Sequence, residues 1–199
     1  PPLVAWVAWL SGKLFGYSLT SIRVFPALAG AATITLTMLI ARELGGGRFA
    51  QFLAGFAVLS APAFLVMGGM LDIPVFEQVF WTLAAYLIVL MTKYDRIRLW
   101  ILIGVVAGVG LLNKHTMLLW SVGIAAGMLF TQHRKHLATP WPWLGGVVAL
   151  VLFAPNLYWQ VQHDWATLEF IRNMKDGTLA SVPRVLFVLG QLLYMNPFY

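Results

Sequence analysis

The sequence predicts an all-α protein built as a polytopic transmembrane helix bundle. Three observations carry this. Of 199 residues, 60% are apolar and only 10% are charged, against about 25% charged in a typical soluble domain. Mean hydropathy is +0.81, more apolar surface than a soluble fold can cover. The apolar residues fall into runs close to the roughly 20 residues that cross a bilayer, separated by short basic or glycine-rich segments.

Residues 1–16 form a short apolar segment with Trp6, Trp9 and Lys13, read as an interfacial helix. The first span is 24–43, apolar from Val24 to Ala41 and closed by Arg42 and Glu43. Gly45-Gly46-Gly47-Arg48 turns the chain into a second span, 49–67, with a kink expected at Pro62. Gly68-Gly69 ends it. Asp72-Ile73-Pro74 has the chemistry of a helix start, an Asp cap followed by Pro in the first turn. The third span, 74–92, ends at Lys93.

Residues 99–130 are apolar apart from Asn113-Lys114-His115-Thr116. We read two short helices, 99–112 and 116–130, meeting at that polar break. A single helix over all 32 residues would be far longer than a bilayer needs. Gly104/Gly108 and Gly123/Gly127 are GxxxG pairs that permit close helix packing. A basic loop, His133 to His136, leads to the span 141–158. Residues 159–182 read as an external loop, and 183–199 as a last span beginning at Pro183. The chain opens on Pro1-Pro2-Leu3 without Met and stops inside an apolar run, so we expect it to be part of a longer protein.

Composition also excludes function classes. With no cysteine there is neither a disulfide scaffold nor thiol chemistry. The formal charge of +6 is dispersed between apolar runs, so it signals topology and headgroup contact rather than nucleic acid. Alternation of the spans brings Arg42 and Arg48, Lys93 to Arg98, and Arg134 with Lys135 to one side. The positive-inside rule makes that side cytoplasmic. Five of the seven acids, Asp72, Glu77, Asp164, Glu169 and Asp176, then belong to the opposite, external side.

That side holds the candidate site. Ionisable groups at membrane depth are costly and point to function. Asp72 reads either as a helix cap or as a carboxylate that orients a substrate hydroxyl or a divalent metal ion. Lys114, with His115 beside it, reads as a phosphate ligand or as a Lys snorkelling from a helix end. Glu77, about one turn past Asp72, either faces the same cavity or pairs with a basic group. Arg23 reads as an interface anchor or a second phosphate contact. His163 and Asp164 read as a metal or proton-handling pair, or as a hydrated loop beside a Trp anchor. No phosphate-loop, dinucleotide-fingerprint, HExxH or GxSxG motif is present.

Several pieces together resemble a known family. They are Pro1-Pro2-Leu3, Arg23 with Pro26 and Gly30, Leu71-Asp72-Ile73-Pro74, Gly110-Leu111-Leu112-Asn113-Lys114, and Pro155-Asn156 followed by His163-Asp164-Trp165. In this order the chain is similar to the polyprenyl-phosphate-sugar glycosyltransferases of the GT-C type. These are glycosyltransferase family 39, with the dolichyl-phosphate-mannose protein mannosyltransferases and the lipid A aminoarabinose transferases. The resemblance implies part of a GT-C-like membrane domain. It implies a lipid-phosphate-linked sugar donor, a protein, lipid or glycan acceptor, and transfer at the periplasmic or lumenal face of a membrane such as the bacterial inner membrane. It also implies that the main catalytic base precedes Pro1, that Asp72 is a second important acid, that Lys114 lies near the lipid phosphate, and that His163-Asp164 belongs to a segment closing over the site. A lipid or solute transporter and a non-catalytic membrane subunit are the alternatives. A transporter would show inverted repeats and midplane polar residues, neither of which the sequence displays.

Overall fold

A computed structural model describes residues 2–177 and 183–195. Helices make up the fold, with no strand among the described residues. α1 (Pro2–Phe15) leads through Gly16, at φ 76°, into α2 (Leu19–Glu43). Ser18 and Ser21 cap the start of α2 reciprocally. Ser11 of α1 donates to the Ser21 carbonyl at 2.5 Å, which ties the two helices together.

The second predicted span is a broken one. α3 (Arg48–Ser60) and α4 (Pro62–Gly68) meet at Ala61 with a bend of 66°. Pro62 lacks the N–H that a continuous helix would need, so it opens a new helix instead. α5 (Ile73–Tyr94) starts at the Asp72 cap, as the sequence indicated. It ends at Asp95, at φ 51° in the left-handed region.

α6 (Leu99–Asn113) is apolar all round and lies at the centre of the bundle. Nine of its residues, Trp100 to Asn113, are buried. Lys114 is extended, at φ −158° and ψ 137°, and α7 (Thr116–Leu129) follows. Met117 packs near Gly110 and Met128 joins Met91 and Trp100 in the core, so α7 runs back along α6. The polar break is therefore the turn of a helical hairpin. A 3₁₀ turn (Gln132–Ala138) then leads into α8 (Pro140–Gln162).

α8 runs parallel to α6 and makes the closest helix contact in the fold. A side chain at Gly104 would run into the Gly145 backbone, and one at Gly108 would meet Ala149 and Leu152. This GxxxG pair works as the sequence indicated. The other does not: Gly123 and Gly127 have open space around them among the described residues. α7 turns that face away from its neighbours.

The expected external loop over 159–182 is corrected over 159–177, while 178–182 fall outside the described residues. α8 continues to Gln162, and α9 (Ala166–Gly177) follows a tight turn at Asp164 and Trp165, at φ 48° and 58°. The turn forms because Gln160, buried, accepts from the Thr167 backbone N–H at 3.2 Å and so caps α9. A polar composition misled the loop reading, since amphipathic spacing can fold polar residues into a helix. α10 (Arg184–Met195) lies within the last predicted span, 183–199, whose final four residues fall outside the described ones.

α2, α5 and α8 are long and apolar enough to cross a membrane, and the bent α3–α4 pair makes a fourth candidate. α1, α6 and α7 are shorter apolar helices. Two sets of side-chain bonds define the bundle's ends. At one end, buried Glu43 accepts from Lys93 at 3.0 Å and Tyr94 at 2.7 Å, and His136 lies 3.6 Å from Asp95. The basic segments do share one end. Asp72, the α6–α7 turn and the C-terminus of α8 lie at the other.

Candidate functional site

The site is built at the start of α5 and the turn of the α6–α7 hairpin. Asn113 is fully buried, and its Nδ2 donates to the Ile73 carbonyl at 3.0 Å. This bond pins the hairpin turn beside the Asp72 cap. The Asn113 Oδ1 has no hydrogen-bond partner among the described residues. Such an acceptor is costly to leave unmade in a buried position.

Lys114 leaves this turn in extended conformation and reaches back to α5. Its Nζ lies 2.8 Å from Glu77 Oε2. The Thr116 hydroxyl donates to the other oxygen, Glu77 Oε1. The carboxylate is thus held on both oxygens by residues of the facing hairpin. The Glu77 side chain is 15% exposed and that of Lys114 is 43% exposed. An ammonium has three donors, so one bond to Glu77 leaves Lys114 able to meet an anion from the open side.

Asp72 is the cap of α5. Its Oδ1 accepts from the Ile73 N–H at 2.7 Å, while the carboxylate remains exposed at the tip of α5. Glu77 is five residues further on, about 7.5 Å along the helix axis. His115 packs edge-on against Phe153 of α8, with centroids 5.6 Å apart. Desolvation on this packed side pulls its pKa below the ordinary imidazole value, and the Asn156 side chain opposes that shift.

Other predicted residues are not drawn into this group. Arg23 is exposed in the first turns of α2, at the same end of the bundle. His163 stacks on Trp159 at 4.3 Å, and its Nδ1 is 2.8 Å from the Trp159 carbonyl. Asp164 is exposed in the turn before α9. Among the described residues, no hydrogen bond or ion pair joins Arg23, His163 or Asp164 to Asp72, Glu77 or Lys114.

The metal reading of Asp72 lacks a ligand set. No group of three or more His, Asp or Glu side chains could hold a metal ion among the described residues. Glu77, the nearest other acid on α5, gives both oxygens to Lys114 and Thr116.

Comparison with known proteins identifies the family. The family model for dolichyl-phosphate-mannose-protein mannosyltransferase matches residues 1–159, from α1 through most of α8. The chain belongs to this mannosyltransferase family. A curated relative, the polyprenol-phosphate-mannose–protein mannosyltransferase of Corynebacterium glutamicum, is 37% identical over 91 residues. That match covers 45% of this chain and 17% of the relative. No solved structure matches the chain. Membership and the apolar helices together make it an integral membrane protein.

Within the family match fall Asp72, Glu77, Asn113, Lys114, His115, Thr116 and Asn156, but not His163 or Asp164. Sequence reasoning passed over Thr116 and left the partner of Glu77 open. The available signal was an acid inside an apolar span and a polar break that could meet it across 37 residues. Asn113 was legible only as part of the break.

Proposed function

We propose that this chain is part of a glycosyltransferase that takes mannose from a polyprenyl-phosphate carrier and passes it to a hydroxyl acceptor at the external membrane face. One observation carries this reading: Lys114, paired with Glu77 and still open to an anion, stands at the same end of an apolar bundle as the exposed Asp72. Family membership and the donor named for the relative support it.

In this mechanism the donor's isoprenoid tail lies in the bilayer and its phosphate at the boundary. Lys114 neutralises the phosphate, and Arg23, exposed at the same end, is available as a second cation. The acceptor oxygen attacks the anomeric carbon in line as the bond from that carbon to the phosphate oxygen breaks. The configuration inverts, and polyprenyl phosphate leaves with the electron pair. The acceptor's proton passes to a carboxylate expected upstream of Pro1. Asp72 orients the acceptor hydroxyl as it approaches. His115, whose pKa is lowered by burial, sits next to Lys114 in the same turn, against Phe153.

The test is transfer from polyprenyl-phosphate-mannose by the full-length protein in membranes. Asp72→Asn and Lys114→Ala should each abolish transfer while the protein is still made and inserted. Wild-type rates in both variants would overturn the assignment. They would favour a non-catalytic membrane subunit.

A further inference from the structure

The opposite end of the bundle carries a second charged feature that sugar transfer does not use. Seven of the thirteen Lys and Arg residues belong to it, with only two of the seven acids, Glu43 and Asp95. The two acids are placed differently. Glu43 is buried and takes bonds from Arg42, Lys93 and Tyr94. Asp95 faces His136.

Arg96 and Arg98 are different. They are exposed, and among the described residues neither has a carboxylate partner. Each guanidinium lies over an aromatic face instead, Arg96 at 5.5 Å from the Tyr94 ring and Arg98 at 5.6 Å from the Trp141 ring. These contacts hold the planar forks without using up their N–H donors. Between them lies a depression of about 420 Å³, lined by residues 95–99 where α5 hands over to α6. Trp143 is 67% exposed nearby and donates its indole N–H to the Leu137 carbonyl at 2.9 Å. That is the behaviour of a ring anchored at headgroup depth.

We propose that this depression binds the phosphate of an anionic phospholipid, with Arg96 and Arg98 as its donors. The chemistry fits in three ways. The forks can bind phosphate oxygens bidentately. The depression is open, so a headgroup can enter from the side while its acyl chains stay against the apolar helices. The two arginines outnumber the one carboxylate of the lining, Asp95, and the basic excess at this end attracts an anionic leaflet. The site is separate from the Asp72–Lys114 end and does not depend on the proposed transfer reaction.

The experiment uses the full-length protein in neutral detergent, titrated with phosphatidylglycerol and followed by native mass spectrometry. Each basic residue near an anionic surface contributes about fivefold in affinity, so R96Q/R98Q should bind roughly 30-fold more weakly. The single variants should each lose about fivefold. R134Q/K135Q removes the same charge from the same end but outside the depression, and should bind nearly as wild type. Phosphatidylcholine and free glycerol phosphate should not compete. Unchanged binding by R96Q/R98Q overturns the proposal. Equal losses in the two double variants overturn it too, because a diffuse surface field would then explain the affinity. Displacement by glycerol phosphate would assign the depression to a soluble phosphate and reject the lipid.

Discussion

Breaking the Glu77–Lys114 pair should destabilise the bundle by an amount set by its partial burial. Exposed ion pairs contribute about 0.2–1 kcal/mol, and breaking a buried one costs about 3–5 kcal/mol. With side chains 15% and 43% exposed, this pair lies between those limits, at about 1–3 kcal/mol per single variant. The two sides differ. Lys114→Met leaves the less exposed Glu77 carboxylate without its cation, held only by the Thr116 hydroxyl. Glu77→Gln keeps a polar group for Thr116 and leaves an ammonium that can swing toward water. Lys114→Met should therefore be the costlier change. The double variant removes both charges at once and should cost clearly less than the sum of the singles, with a coupling of about 1–2 kcal/mol. The assay is denaturant unfolding of the four purified proteins in one detergent, followed by tryptophan fluorescence. Additivity within about 0.5 kcal/mol would refute the claim that Glu77 and Lys114 act as a pair.

Three further outcomes follow from named contacts. Asp72→Ala should lose about 1 kcal/mol of stability because it removes the α5 cap, whereas Asp72→Asn keeps a capping acceptor and should unfold like wild type; equal melting of all three proteins would show that the cap contributes nothing. Gly104→Ala should destabilise strongly, since its methyl meets the Gly145 backbone, while Gly123→Ala, facing open space, should be neutral or stabilising by up to about 1 kcal/mol. Circular-dichroism melts of the two variants give the comparison, and similar shifts would contradict the α6–α8 packing. The third outcome concerns buried His136, where burial, followed by the nearby His133, lowers the pKa, and Asp95 opposes the shift. Its unfolded form binds a proton first, so stability should fall as pH drops below the ordinary imidazole value of about 6.5. Unfolding measured between about pH 5 and 7 should show this slope in wild type and a weaker one in His136→Gln; an identical slope would place the titration elsewhere.

Much of the fold is legible because hydropathy is a local signal. Arg42 and Glu43 close α2, Asp72 opens α5 and Asn113 ends α6, and each can be read within a few residues of sequence. Alternation of the spans was enough to gather Glu43, Lys93 and His136 at one end, where their bonds now stand. The candidate site was legible in part. Asp72 and Lys114 stand out as charges beside apolar runs, but nothing local says that Lys114 meets Glu77 rather than solvent. Residues 159–182 show the reverse weakness. Their polarity suggested a loop, while the Gln160–Thr167 bond that starts α9 depends on a turn no composition reveals.

The sequence by itself determined that this chain is an apolar helix bundle of the mannosyltransferase family, which of its apolar runs become helices, and that its short basic loops share one end. Transfer of apolar side chains out of water acts residue by residue, so a one-dimensional pattern suffices for these. Only the tertiary structure decided which glycine pair packs, which acid holds Lys114, and that Arg23, His163 and Asp164 stay outside that group. Those outcomes depend on how helices distant in sequence are rotated against one another. Such rotation is set by close packing at positions like Gly104 and Gly145, not by the hydropathy of any one segment.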